Sequence, residues 1–133
     1  MQFQVATDYA IHILKYLHAN KKDMPTAMVI SQATGMSYPF FIKVARQLKQ
    51  HGLLNTIQGR NGGFILAKPA TKISIYDVFL AIEGNLQVKR CFEDKQFCKR
   101  GTADVCSTHE YFLALQKTMI ENMSGKYVAD FST

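Results

Sequence analysis

Near the N-terminus the apolar positions recur at helical spacing. Val5, Tyr9, Ile13, Tyr16 and Leu17 form one stripe from about Phe3 to Ala19, and Ile11 and Leu14 widen it. A helix this apolar has to pack against other elements. A second, short helix is predicted from Thr26 or Ala27, with Val29, Ile30 and Ala33 inward and Gly35 as a left-handed C-cap. Ser37 reads as the N-cap of a third helix, with Pro39 tolerated in its first turn and Phe41, Val44, Ala45 and Leu48 on the buried side. Gly52 ends it. Two helices joined by a tight glycine-containing turn, the second capped by serine and basic on its outer face, make a helix-turn-helix pattern. Its outward stripe carries Lys43, Gln47 and Gln50, donors suited to phosphates or base edges.

The period then changes. Leu53 to Gln58 and Phe64 to Lys68 are strand-like runs flanking Gly59-Arg60-Asn61-Gly62-Gly63, and Pro69 closes the second run. A hairpin in this position is a wing, whose glycines allow close approach to a DNA backbone while Arg60 enters a minor groove or clamps a phosphate. Ser74 with Asp77 three residues on resembles a capping box, opening a helix of Ile75, Val78, Phe79 and Ile82 that stops at Gly84. From Asn85 to Cys106 apolar periodicity is lost and charge accumulates, a length of irregular chain uncommon in a compact domain unless it is functional or disordered. Ser107 with Glu110 then opens a last helix whose stripe of Phe112, Leu115, Met119, Ile120 and Met123 ends near Gly125. Little chain follows, so the cover for that stripe is either a partner subunit or the helix's own domain. The pattern predicts a mainly α fold with a small β-hairpin wing: a winged helix-turn-helix over 1–84, a loop over 85–106, and a long C-terminal dimerisation helix and tail over 107–133.

Charge sharpens this. Between Met24 and Tyr76 stand six basic side chains, Lys43, Arg46, Lys49, Arg60, Lys68 and Lys72, and no aspartate or glutamate. Residues 1–84 carry nine Lys/Arg against four Asp/Glu, whereas residues 85–133 carry seven against six, so the basic excess is local. A surface of that sign suits a polyanion, since neutralising phosphates releases condensed counterions. No stretch reaches the roughly 18 consecutive apolar residues of a membrane span, and the start lacks the basic region of a secretory signal, which gives a cytoplasmic expectation. An enzyme finds little support, for there is no phosphate-cradling loop, no G-x-S-x-G motif and no paired carboxylates in an evident cleft.

All three cysteines, Cys91, Cys98 and Cys106, fall in the irregular segment with spacing C-x6-C-x7-C, and His109 follows. Structural zinc sites favour tighter knuckles. Three thiolates suit an iron-sulfur cluster with one further position open, and Lys89, Arg90, Lys99 and Arg100 would help hold the thiols ionised. Zinc, thiol-disulfide sensing or incidental cysteines remain alternatives on spacing alone.

The opening Thr7-Asp8-Tyr9-Ala10, the run Gly52-Leu53-Leu54 leading to Gly59-Arg60-Asn61-Gly62-Gly63-Phe64, the Ala67-Lys68-Pro69 after it, the helix end from Val78 to Gly84 and the three cysteines lie in an order that resembles the IscR/NsrR-type family of iron-sulfur winged helix-turn-helix transcription regulators. The resemblance covers nearly the whole chain. It implies a homodimer, double-stranded promoter DNA as partner and no membrane. It also implies an iron-sulfur cluster, 2Fe-2S or 4Fe-4S, that makes a repressor responsive to iron-sulfur status, nitric oxide or redox state. Cys91, Cys98 and Cys106 match the family's ligands, and the fourth would be Asp8 from the partner subunit or His109, with His12, one turn beyond Asp8, as a further candidate. On the DNA side the resemblance aligns Ser37, Phe40 and Lys43 with operator-contacting positions, and the expected contact set adds Tyr38, Arg46 and Gln47 in the recognition helix and Gln58, Arg60 and Asn61 in the wing. Gln58 stands where the family often has arginine, and Pro39 and Ile42 replace polar residues, which implies a different operator preference.

Overall fold

The structure, a computed structural model, describes residues 3–86 and 107–131. Helices α1 (Val5–Ala19), α2 (Ala27–Thr34) and α3 (Tyr38–Gln50) are followed by strands β1 (Leu54–Ile57) and β2 (Gly63–Leu66), then α4 (Ile75–Glu83) and α5 (Ser107–Ser124). Short 3-10 turns at Ala70–Lys72 and Val128–Asp130 complete it. No helix among the described residues is long and apolar enough to cross a membrane.

The buried face of α1 is Ala6, Thr7, Ala10, Ile13, Leu14 and Leu17. The predicted stripe is therefore rotated: Val5 is 67% exposed, while Tyr9, Ile11 and Tyr16 only flank the core. Thr7 meets α4, and small residues on that side let the two helices approach closely, a signal that large apolar side chains obscure. In α2 only Ile30 and Ser31 are buried; Val29 and Ala33 face outward, against the prediction. The reason lies past the helix. Gly35 turns left-handed at φ 74°, and the Met36 amide closes a 3.0 Å bond to the Ser31 carbonyl. That Schellman-type ending delivers Met36 to the core in place of a residue from α2's last turn.

The caps of the next two helices form as the sequence predicts. Ser37 caps α3 by accepting from the Phe40 amide, and Phe41, Val44, Ala45 and Leu48 are its buried face. Ser74 and Asp77 close a reciprocal capping box at α4, each bond 3.0 Å. The strands pair antiparallel in the register Leu54↔Leu66 to Ile57↔Gly63, so both runs are shorter than expected. Gly63 has no room for a side chain, because a Cβ would run into the carbonyl oxygens of Met24 and Pro25. The Phe64 amide donates to Pro25 at 2.9 Å, tying the wing to the loop before α2.

One core joins α1, α2, α3, α4 and the hairpin base around Ile13, Leu14, Phe41, Leu48 and Val78. Val128, in the last 3-10 turn, is fully buried in it. The Ile75 amide donates to Lys126 at 2.8 Å and the Val128 amide to Ile73 at 2.9 Å, so the chain after α5 returns to the first unit. A second cluster of Phe79, Leu86 and Met123 packs the C-terminal half of α5 on α4. Ser107 is the first residue of α5 and not its cap, and Leu115 of the predicted stripe is exposed, as are Tyr111 and Leu113.

Candidate nucleic-acid interface and ligand-bearing helix

The outer side of α3 is built by the same 3.6-residue period that buries Phe41 and Leu48. Lys43, Arg46, Lys49 and Gln50 are exposed and Gln47 is half-buried. Tyr38 stands 48% exposed at the helix start. Phe40 has another duty: its ring meets Tyr9 of α1 edge-on, centroids 5.6 Å apart, which couples the first turn of α3 to α1. Ser37 is occupied as the cap.

The wing is fixed to this helix. Lys49 Nζ donates to Thr56 Oγ1 at 3.0 Å, bracing β1 against α3. Gln58, Arg60 and Asn61 project at the tip, where the Gly62 amide closes the turn on Gly59 at 3.0 Å. All six basic residues counted along the sequence are exposed. Lys68 is ion-paired, since folding brings Asp77, from just beyond the acid-free stretch, to 3.9 Å from its Nζ. No ion pair is made by Lys43, Arg46, Arg60 or Lys72 among the described residues. The positive field therefore concentrates on α3 and the wing tip, a geometry that can lay a helix in a major groove and an arginine on the flanking backbone.

On α1, Asp8 and His12 are one turn apart and face out together. Asp8 Oδ1 lies 3.6 Å from His12 Nε2, with the side chains 74% and 48% exposed. They line an open groove of about 630 Å³ with Tyr9, Lys15, Tyr16 and Thr34. Oxygen and imidazole donors on an open face can accept a ligand brought from outside the protomer. His109 stands in the first turn of α5. The predicted ligands Cys91, Cys98 and Cys106 fall outside the described residues, and no group of three potential metal ligands forms among those described.

One residue went unnoticed in the sequence. Glu83, at the end of α4, accepts from Thr7 Oγ1 at 2.6 Å through Oε2 and from the Gln4 amide at 3.3 Å through Oε1. A carboxylate in the last turn of a helix opposes the macrodipole, and that misfit is the signal that could have drawn attention to it.

A helix-turn-helix with an exposed basic second helix, buttressed by a two-stranded hairpin, defines a winged helix-turn-helix DNA-binding regulator. The family model for Rrf2, an iron-dependent transcriptional regulator, matches residues 3–133, and the chain belongs to the Rrf2 family. It is 38% identical over 93 residues to the HTH-type transcriptional regulator NsrR of Halalkalibacterium halodurans, covering 69% of this chain and 64% of that protein. To the HTH-type transcriptional regulator IscR of Klebsiella pneumoniae it is 28% identical over 118 residues, covering 88% of this chain and 68% of that one. Protein aau3 of Rhizobium meliloti is 36% identical over 93 residues, 70% of this chain and 60% of that protein. The chain thus spans less than two thirds of the length of aau3 and of NsrR. The fold is that of IscR from T. potens (TM-score 0.76, 20% identity, 98% and 85% of the two chains). CymR, the global cysteine regulator of B. subtilis, shares it equally (TM-score 0.76, 19% identity, 98% and 95%). Its relatives are transcription regulators, a non-enzymatic family.

Proposed function

We propose that this chain is a cytoplasmic repressor that binds promoter DNA as a homodimer and whose grip is set by an iron-sulfur cluster. The observation that carries it is the pairing of an acid-free basic face on α3 and the wing with three cysteines placed between α4 and α5 in the chain. Residues 1–84 would bind DNA, 85–106 would bear the cluster, and 107–133 would form the dimer contact, the last turn anchored back on the first unit through Val128. Cys91, Cys98 and Cys106 would hold the cluster, completed by Asp8 of the partner subunit or by His109, with His12 as a further candidate. The exposed Asp8–His12 pair fits such a role, because it can be reached from outside its own protomer. When bound, the cluster would supply a centre reactive towards oxidants and nitric oxide and sensitive to iron supply. DNA contacts would come from Ser37, Tyr38, Phe40, Lys43, Arg46 and Gln47 and from Gln58, Arg60 and Asn61.

Similarity to NsrR and to a family described as iron-dependent supports this reading. The alternative is a cluster-free DNA-binding regulator whose cysteines hold zinc or switch between thiol and disulfide. It draws on the fold shared with CymR, a protein also solved in an oxidized form from Staphylococcus aureus. Cys98→Ala separates them: after anaerobic purification the variant should lose the visible chromophore of the wild type and remain a folded dimer. An unchanged absorption spectrum would remove Cys98 from the ligand set.

A further inference from the structure

We infer that Met24 and Pro25, in the loop between α1 and α2, are positioning residues that set where the wing tip points on DNA, an inference that rests on the contact proposed above for Arg60. The loop is pinned at both ends. Asn20, just past α1, turns back on the Tyr16 carbonyl through its amide at 3.0 Å and its Nδ2 at 2.9 Å, and the Asp23 amide closes on Asn20 at 3.0 Å. Thr26 then caps α2. Between them Met24 adopts φ 45°, the one positive φ of a non-glycine residue among the described residues. Side chains enter that region rarely and at a cost, and such a backbone persists where its surroundings over-determine it. Here it aims two carbonyls. Pro25 is buried with its φ fixed by the ring, and the carbonyl oxygens of Met24 and Pro25 both lie against Gly63.

Gly63 opens β2 directly after the tip, opposite Ile57. A side chain there would collide with both carbonyls, so this close approach exists only because the position is glycine. The next residue completes the seat, the Phe64 amide donating to Pro25 at 2.9 Å. Across the hairpin Phe64 pairs with Thr56, and Thr56 Oγ1 is the group that takes Lys49 Nζ of α3 at 3.0 Å. One rung of the wing is therefore held from both edges, by the loop before α2 on β2 and by the recognition helix on β1. Beyond that rung stand only the Ile57–Gly63 pair and the turn that carries Arg60. The direction of the tip is decided there.

The test is an anisotropy titration of promoter DNA over a range of salt with the anaerobically purified full chain. Wild type, Gly63→Ala, Met24→Val and Met24→Gly are compared, each alone and combined with Arg60→Ala or Lys43→Ala, and melting temperature is read on the same samples. In the wild type Arg60→Ala should weaken binding and lower the slope of log affinity against log salt by about 1. In Gly63→Ala, whose methyl pushes β2 off the two carbonyls, binding should already be weaker and the slope already lower. Adding Arg60→Ala there should change affinity by less than about twofold. Lys43→Ala should keep its full effect in the same background, a split that general loss of structure does not produce. Met24→Val, with a β-branched side chain that disfavours left-handed backbone, should behave as Gly63→Ala does, and it carries the test alone if Gly63→Ala does not fold. Met24→Gly takes the same backbone freely and should recover the Arg60 effect that Met24→Val loses. A full Arg60 effect in both Gly63→Ala and Met24→Val overturns the seat alone. Equal shrinkage of the Lys43 effect also overturns it, by making the contact merely structural. No effect of Arg60→Ala in the wild type rejects the wing contact and the seat with it.

Discussion

At the residue scale, caps are the most legible feature of this chain. Thr26, Ser37 and Ser74 each hold the helix start that their residue type announces, because a cap needs only a short side chain and the amide two or three residues on. Ser74→Ala removes the acceptor for the Asp77 amide and should destabilise the fold by about 0.5–2 kcal/mol, read as a lower midpoint in urea. Pairs that only folding creates leave no such trace. Lys68 and Asp77 are nine positions apart and meet across the start of α4, and Glu83 reaches back to Thr7. For the exposed cations the expectation is electrostatic. Lys43→Ala and Arg60→Ala should each weaken promoter binding and, if each meets a phosphate, lower the slope of log affinity against log salt by about 1. Lys72→Ala, exposed but off α3 and the wing, is the control: a slope change as large there would locate the interface elsewhere.

At the scale of elements, periodicity found the helices and the hairpin but misjudged two faces. The face of α1 rotated towards Ala6 and Ala10 because alanine carries little hydropathic weight yet permits close helix contact. The inward face of α2 moved because a buried Met36 beyond the cap outweighs Val29 and Ala33. The return of the chain at Val128 was not legible at all, since three residues cannot show a period and the bonds of Lys126 to Ile75 and of Val128 to Ile73 are long-range. Phe41 illustrates what the legible part secures. It is fully buried and edge-on to Phe64 at 5.2 Å, so it holds α3 to the wing, and Phe41→Ala should cost about 3–5 kcal/mol in chemical unfolding. Tyr111 and Leu115, one turn apart on α5, form an exposed apolar face that the proposed homodimer would cover. If the proposed dimer uses it, Leu115→Glu should shift the protein from dimer to monomer in sedimentation equilibrium, and an unchanged mass would move the dimer contact off that face.

At the scale of the molecule, the basic surface and the candidate ligand face are both fastened to α1. Tyr9 meets the first turn of α3, Thr7 meets the last residue of α4, and Asp8 with His12 looks outward between them. The winged helix-turn-helix elements were legible in order because they are consecutive and short-range. The site that would govern it draws on residues far apart in the chain, with its cysteines outside the described residues, so their number and type are legible and their arrangement is not. The central claim, that a thiolate-held cluster sets the strength of DNA binding, is tested most directly by titrating promoter DNA with anaerobically purified protein before and after its iron is stripped. Iron and acid-labile sulfide are counted in both samples. The account predicts a coloured protein containing both, with an affinity that changes at least about fivefold on stripping. A colourless, iron-free preparation that binds the same DNA at full strength would contradict it.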